Sequence, residues 1–285
     1  MTVGNVKVTS IYELDASDVI TEVIKDANSQ NIKDIEWLFP HYADADGSIK
    51  AVNQSFLLEM SGKKILIDTC VGNKRTRPEL PAWDGLETSF MNNLTKQGVR
   101  PEEVDMVLCT HLHFDHIGWN THLVNGEWTP TFPNAEYIFV RQEYEYWQSR
   151  PDKELIDDHN GVNESIRPVV KAGLVRLVDK NAQITPEIRL VHTPGHTPHH
   201  VSILLESDGE SALFSGDVFH HPCQIAHPEW MSFDTEPASA LTSRKQVLEQ
   251  YADTKTVIFG AHFSEPAGSR IITDGTSYKL ARSSD

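Results

Sequence analysis

The stretch Thr110-His111-Leu112-His113-Phe114-Asp115-His116 constrains this chain more than any other. It follows directly on VDMVLC at 104–109, an apolar run that reads as a buried strand. In an extended segment residues i and i+2 point the same way, so His111 and His113 can grip one ion. A turn after Phe114 would let Asp115 and His116 face a second ion beside it. Three histidines and an aspartate packed this tightly have no rationale in core packing. The rest of the chain repeats the signal: of 14 histidines, three lie in 111–116, four in 192–200 and three in 220–227, with His262 beyond. Imidazole is the commonest metal-binding side chain.

Three further fragments carry matching candidates: Pro194-Gly195-His196, Ser215-Gly216-Asp217 and Gly260-Ala261-His262. A glycine near each ligand permits a sharp turn and a close backbone approach. A carboxylate such as Asp217 can bridge two cations and lower their mutual repulsion. The set would supply three histidines to one ion, and two histidines plus an aspartate to the other. Asp217 and a bridging water would complete the pair.

The motifs follow short apolar runs. Strands are expected at 5–14, 55–60, 64–69, 104–109, 137–140, 188–192, 201–205, 212–214 and 257–259, the second and third joined by a Ser61-Gly62-Lys63 turn. Leu86, Phe90 and Leu94 predict a helix ending near Gly98; further helices are expected at 141–149, 152–172 and 237–251, the last with Pro237 near its start. Loops at strand ends, held by a rigid sheet, are where sites are usually built. Residues 20–50 are polar and mixed, with an apolar island at Trp37, Leu38 and Phe39, and are expected to form a lid or a dimer arm. With no repeat, low-complexity tract or Gly/Ser linker, one domain over 1–285 is the expectation.

The formal net charge is −16, with 39% hydrophobic and 23% charged residues. That balance fits a globular protein, and its sign argues against a nucleic-acid partner. No apolar run is long enough for a membrane helix, and the N-terminus does not read as a secretion signal. Three cysteines, Cys70, Cys109 and Cys223, argue against a disulfide framework, so a cytoplasmic location is expected.

HLHFDH, followed in order by TPGHT, SGD and GAH, resembles the metallo-β-lactamase superfamily over roughly residues 50–265. KILIDT at 64–69 is similar to that superfamily's first motif, with Asp68 as its supporting acid. The resemblance implies an α/β fold, the αββα sandwich: two mixed sheets face to face, helices outside, metals at one edge. It also implies His111, His113 and His196 on one metal, Asp115, His116 and His262 on the other, and Asp217 bridging. The cofactors would be two divalent ions; zinc suits these donors, and iron, manganese or cobalt accept similar shells.

Two adjacent cations would acidify a bridging water and polarise a carbonyl or phosphoryl oxygen, so hydrolysis is the reaction expected. No G-x-S-x-G elbow is present, and no cysteine holds a ligand position. Asp115 and His220 are the candidate catalytic groups, His220 as hydrogen-bond donor to the developing oxyanion. Quorum-quenching lactonases of the superfamily typically carry tyrosine three residues after the bridging aspartate; His220 stands there instead.

Other branches fit less well. One β-lactamase branch has arginine where His116 stands and cysteine where Asp217 stands. Hydroxyacylglutathione hydrolases need a C-terminal helical domain longer than the stretch after His262, and redox members need a flavin module. A small-molecule lactonase or esterase is therefore expected, with aryl ester or organophosphate triester hydrolysis as the alternative. A metal-binding scaffold without catalysis is the non-enzymatic alternative. Trp37, Phe39, Trp119, Phe219, His221 and Trp230 are the candidate substrate contacts, and a homodimer is expected.

Overall fold

The computed structural model describes residues 1–150 and 160–281. The chain divides into two compact units, one made of 1–14 and 53–179, the other of 15–52 and 180–285.

The first unit is built on a seven-stranded mixed sheet. Its strands are β1 (Thr2–Val3), β2 (Val6–Asp15), β3 (Val52–Met60), β4 (Lys63–Ile67), β5 (Met106–Leu108), β8 (Glu136–Val140) and β9 (Val175–Val178), in the order β1-β2-β3-β4-β5-β8-β9. Strands β6 (Thr121–Val124) and β7 (Glu127–Pro130) pair separately as a hairpin. The β3–β4 hairpin turns through Ser61 and Gly62, both at positive φ, and pairs Met60 with Lys63. That is the two-residue loop whose twist suits a hairpin. From β4 onward the pairing is parallel, β4 to β5, β5 to β8 and β8 to β9. Parallel strands need crossovers; the helices Phe90–Lys96 and Arg141–Ser149 lie on two of them. Phe90 and Leu94, one turn apart, are fully buried, and so is all of β5. Of the helix expected at 152–172, Val162–Ile166 is a π-helical turn and Arg167–Lys171 is α-helical, while 151–159 lie outside the described residues.

The second unit carries a six-stranded mixed sheet, β10 (Ile188–His192), β11 (Val201–Ser207), β12 (Glu210–Phe214), β13 (Val257–Phe259), β14 (Gly268–Asp274) and β15 (Ser277–Leu280), in sequence order. Only β12 and β13 run parallel, with Phe214 opposite Phe259. The helix Pro237–Tyr251 connects them, with Pro237 in its first turn, where a missing N–H costs nothing. It buries Ala240, Ser243, Arg244, Val247, Leu248 and Tyr251, one face of a 3.6-residue period. Strands β14 and β15 and the β6–β7 hairpin are not among the expected elements. Their alternation is broken by polar residues at half-buried positions.

Residues 20–50 are not a long loop. Ser17–Val23 and Ser29–Lys33 are α-helical, and Asn28 caps the second by accepting from the N–H groups of Gln30 and Asn31. Ile20, Ile24, Ala27, Ile32, Ile35 and Leu38 are buried. Their spacing is apolar but irregular, which hid the helices among polar neighbours. The segment is fastened inside the second unit. Tyr42 donates from its hydroxyl to Pro266 O at 2.8 Å, and His221 Nε2 donates to Tyr42 O at 2.9 Å. Among the described residues no helix is long and apolar enough to cross a membrane.

His221 is 0% exposed, and burial pushes its pKa down to about 4. The unfolded chain therefore binds a proton that the native chain refuses between about pH 6.5 and pH 4. Stability from this site is complete above pH 6.5 and is lost as pH falls through that window, by about 3 kcal/mol. Denaturant melts at pH 7 and pH 4.5 should show the loss, and His221→Gln should flatten that part of the dependence.

Candidate metal centre

In the first unit the ligand candidates hang from the ends of β4 and β5. Asp68 directly follows β4 and adopts φ +53°. Its Oδ1 accepts the Thr110 N–H at 2.8 Å, and its Oδ2 accepts both the Thr110 hydroxyl and His116 Nδ1–H at 2.8 Å. Asp68 thus fixes the His116 ring with its other nitrogen, Nε2, turned away from the acid. That nitrogen lies 3.7 Å from Asp115 Oδ2. His111 and His113 approach through Nε2 and Nδ1 at 3.0 Å, the i and i+2 relation read from the sequence. The turn between them is held by Glu143, which accepts the Leu112 N–H at 3.3 Å and the Trp147 indole N–H at 2.9 Å.

The loop that follows is stitched down by backbone groups. Thr69 N–H donates to His116 O and Trp119 N–H to Thr69 O, each at 2.7 Å. Gly118 N–H donates to Cys70 O, and the buried Arg75 guanidinium donates to Gly118 O. Arg75 is itself paired with Glu164 at 3.1 Å, and burial lowers its pKa to about 10.

In the second unit the candidates converge on Asp217. His196 Nε2 lies 3.2 Å from its Oδ2, His220 Nε2 3.3 Å from the same oxygen, and His262 Nε2 3.3 Å from its Oδ1. His262 donates from Nδ1 to Val52 O at 3.1 Å, which leaves the Nε2 lone pair toward Asp217. His200 accepts the Asp217 backbone N–H on Nε2 at 3.0 Å, while its Nδ1 lies 2.9 Å from the Thr193 hydroxyl. Burial works against a charged His196, but the Asp217 and Asp234 carboxylates outweigh it and raise its pKa to about 9. His220 is lowered instead, burial outweighing the pull of Asp217.

These donors fit a divalent metal. Two carboxylates beside one imidazole raise its affinity for a cation of either kind, a proton or a metal ion. Ligands bonded at about 2.0 Å in a tetrahedral shell stand about 3.3 Å apart. The spacings of 3.0 Å in the first unit and 3.2–3.3 Å in the second match that shell.

The candidate substrate contacts are dispersed. Trp119 is 6% exposed, donates to Glu13 at 2.6 Å and stacks on Phe90, so it belongs to the first unit's core. Phe219 is 0% exposed. His221 spends both nitrogens, on Tyr42 O and the Cys223 N–H. These three have no surface left for a ligand. Trp37 lines a groove of about 510 Å³ with Asp34, Asp274, Tyr278 and Lys279, and no candidate ligand lines it. Phe39 and Trp230 are half-buried, Trp230 lying flat on His227 with centroids 4.4 Å apart. Glu143, Asp234 and Arg244 escaped the sequence reading, whereas His200 is read there as a supporting or surface histidine and supports the Asp217 backbone. Nothing in the local pattern of the first three separates them from surface residues.

The metallo-beta-lactamase superfamily model matches residues 51–262. This chain belongs to that superfamily. It is 28% identical over 226 residues to an N-acyl homoserine lactonase of a Bacillus species, covering 73% of this chain and 79% of the relative. The AiiA lactonase of Bacillus thuringiensis subsp. kurstaki is 25% identical over 219 residues, with the same coverage. The structure of AidC, a dizinc quorum-quenching lactonase in complex with a product, superposes with a TM-score of 0.78 at 23% identity, covering 100% of this chain and 97% of that one. The hydrolase AbOPH gives a TM-score of 0.79 at 25% identity, covering 98% and 95%. The α/β metallo-β-lactamase sandwich read from the motifs is the fold these neighbours share, and the named relatives lie in the quorum-quenching lactonase branch.

A Cβ on Gly118 would meet the carbonyl carbon and oxygen of Val71 at 2.0 Å. Neither backbone segment can yield without breaking the hydrogen bonds that hold it, so Gly118→Ala should cost about 3 kcal/mol or more. A thermal melt of the purified variant checks this.

Proposed function

We propose that this superfamily hydrolase opens a lactone, or cleaves an ester, of a small and partly hydrophobic molecule, using two divalent metal ions, zinc foremost. The carrying observation is the donor chemistry: imidazole and carboxylate atoms at ligand spacing, several held by a hydrogen bond on the opposite side of the ring. We assign His111, His113 and His196 to one ion, Asp115, His116 and His262 to the other, and Asp217 between them. When bound, such a pair supplies an acidified water and polarises the scissile carbonyl.

The chain's own residues do the rest. Asp68 and Val52 O hold His116 and His262 in the tautomer that offers Nε2. Asp115 shares its site with His116. His220, 3% exposed and beside Asp217, donates a hydrogen bond to the oxygen on which charge develops. Its Nδ1 has no hydrogen-bond partner among the described residues, so the ring has a nitrogen to spare. Trp37, Phe39 and Trp230 are the aromatic candidates that keep exposed surface. Similarity to N-acyl homoserine lactonases over 73% of the chain supports the lactone reading. His220, where superfamily lactonases typically carry tyrosine, favours weighing aryl esters and phosphotriesters as a second reading.

Metal-loaded protein should hydrolyse acyl-homoserine lactones faster than simple γ- and δ-lactones, aryl esters or phosphotriesters. No turnover of any lactone with two ions bound would sink the lactone reading, and no turnover of the whole panel would favour a non-catalytic scaffold. His113→Ala and Asp217→Asn should each lower turnover by orders of magnitude. His220→Phe should lower kcat by about 100-fold with little change in KM. Steady-state kinetics at verified metal content checks all three.

A further inference from the structure

His196 stands at one end of a buried chain of polar groups. The Asp234 side chain is 0% exposed, with Oδ1 3.5 Å from His196 Nδ1 and Oδ2 2.8 Å from Arg244 Nη2. Arg244 projects from the buried face of the helix Pro237–Tyr251, its side chain 1% exposed. Its Nε donates to Val218 O at 2.8 Å, one residue after Asp217. Nη2 also donates to the Ser232 hydroxyl at 3.1 Å, and Nη1 reaches Trp230 O at 3.3 Å. One guanidinium therefore ties three things together: the carbonyl beside Asp217, the 230–234 loop, and the carboxylate behind His196.

The energetics make this arrangement stiff. A guanidinium out of water must have its donors met, and removing its carboxylate partner Asp234 leaves a buried charge uncompensated. Asp234 is thus fixed in position by Arg244. An anionic oxygen behind Nδ1 keeps the imidazole proton there. In the neutral ring that a metal requires, the lone pair is then on Nε2, the nitrogen 3.2 Å from Asp217 Oδ2. A carboxylate behind a ligating histidine both orients the ring and makes it a better electron donor. The same Arg244 holds the backbone next to Asp217, so two candidate ligands are set by one buried cation.

We infer that Asp234, locked by Arg244, is a positioning residue that aims His196 Nε2 at the ion assigned to His196 above. Asp234 itself touches neither substrate nor metal. The inference rests on the two-ion assignment above.

The test is metal retention, measured on zinc-loaded protein titrated with a chelator, with zinc content read by elemental analysis. Wild type should hold two ions at a chelator level where Asp234→Ala and Asp234→Asn hold one. The affinity for the lost ion should fall at least 10-fold and that for the retained ion should stay within about 2-fold. Arg244→Lys, which keeps the charge but not the reach to Val218 O, should give a smaller loss of the same ion. A generally weakened fold would loosen both ions together, so a selective loss distinguishes aiming from packing.

Asp234→Asn is nearly isosteric and decides the matter if the alanine variant does not fold. If Asp234→Asn folds and keeps both ions at wild-type affinity, or loses both in parallel, the inference is overturned. Wild type that binds two ions but opens no lactone would sink the functional reading and leave this inference standing. Wild type that binds fewer than two ions would remove the premise of both.

Discussion

The carboxylate of Asp68 is the fixed point of the first unit. It sits at the end of β4 in a left-handed conformation and collects three hydrogen bonds, two from Thr110 and one from the His116 ring. Thr110 opens the loop that bears His111 and His113; His116 closes it. A single buried acid therefore sets both ends of a seven-residue ligand loop. A carboxylate reaching down from the neighbouring parallel strand can do this because β4 and β5 finish level, with Ile67 opposite Leu108.

The second unit reaches the same end by different means. Val52 O fixes His262, His200 holds the Asp217 backbone, and Asp234 backs His196. His196 and His262 each turn Nε2 toward the Asp217 carboxylate, while His200 uses both nitrogens within the protein, on the Thr193 hydroxyl and the Asp217 N–H. The common rule is that orientation is supplied from the far side of the ring, by a hydrogen bond for His116 and His262 and by an ion-pair contact at 3.5 Å for His196. In the second unit these partners are a backbone carbonyl and a buried acid, groups that no short motif records.

This division explains what could be read from the amino-acid order alone. HLHFDH, SGD and GAH name the ligand candidates, because first contacts with a metal need particular side chains at particular spacings. The strands before them are legible because β5, β12 and β13 are short buried apolar runs. Apart from Asp68, which KILIDT carries, the supporting groups are not legible. Asp234 looks like any acid in a polar loop, and Arg244 like any basic residue on a helix face, until burial shows each is the other's counterion. The segment 20–50 misled for a related reason. Its apolar residues are spread over two short helices and the 3-10 turn Glu36–Leu38, and its polar majority reads as loop. Trp119 and Phe219 misled in the opposite sense: aromatic residues next to a site motif are as readily recruited to the core as to a pocket.

The parallel pairing of β12 with β13 sets a strict measure along both strands. Phe214 stands opposite Phe259, and in each strand the candidate ligand comes three residues later, Asp217 and His262. An extra residue in either stretch would move its ligand out of step with the other. The opposite end of β12 is under no such demand. The Asp208-Gly209 turn lies in the open, and a side chain added at Gly209 meets nothing within 4 Å. New loops, tags or whole inserted modules thus have a natural port of entry there, while the ligand-bearing ends must be inherited residue for residue.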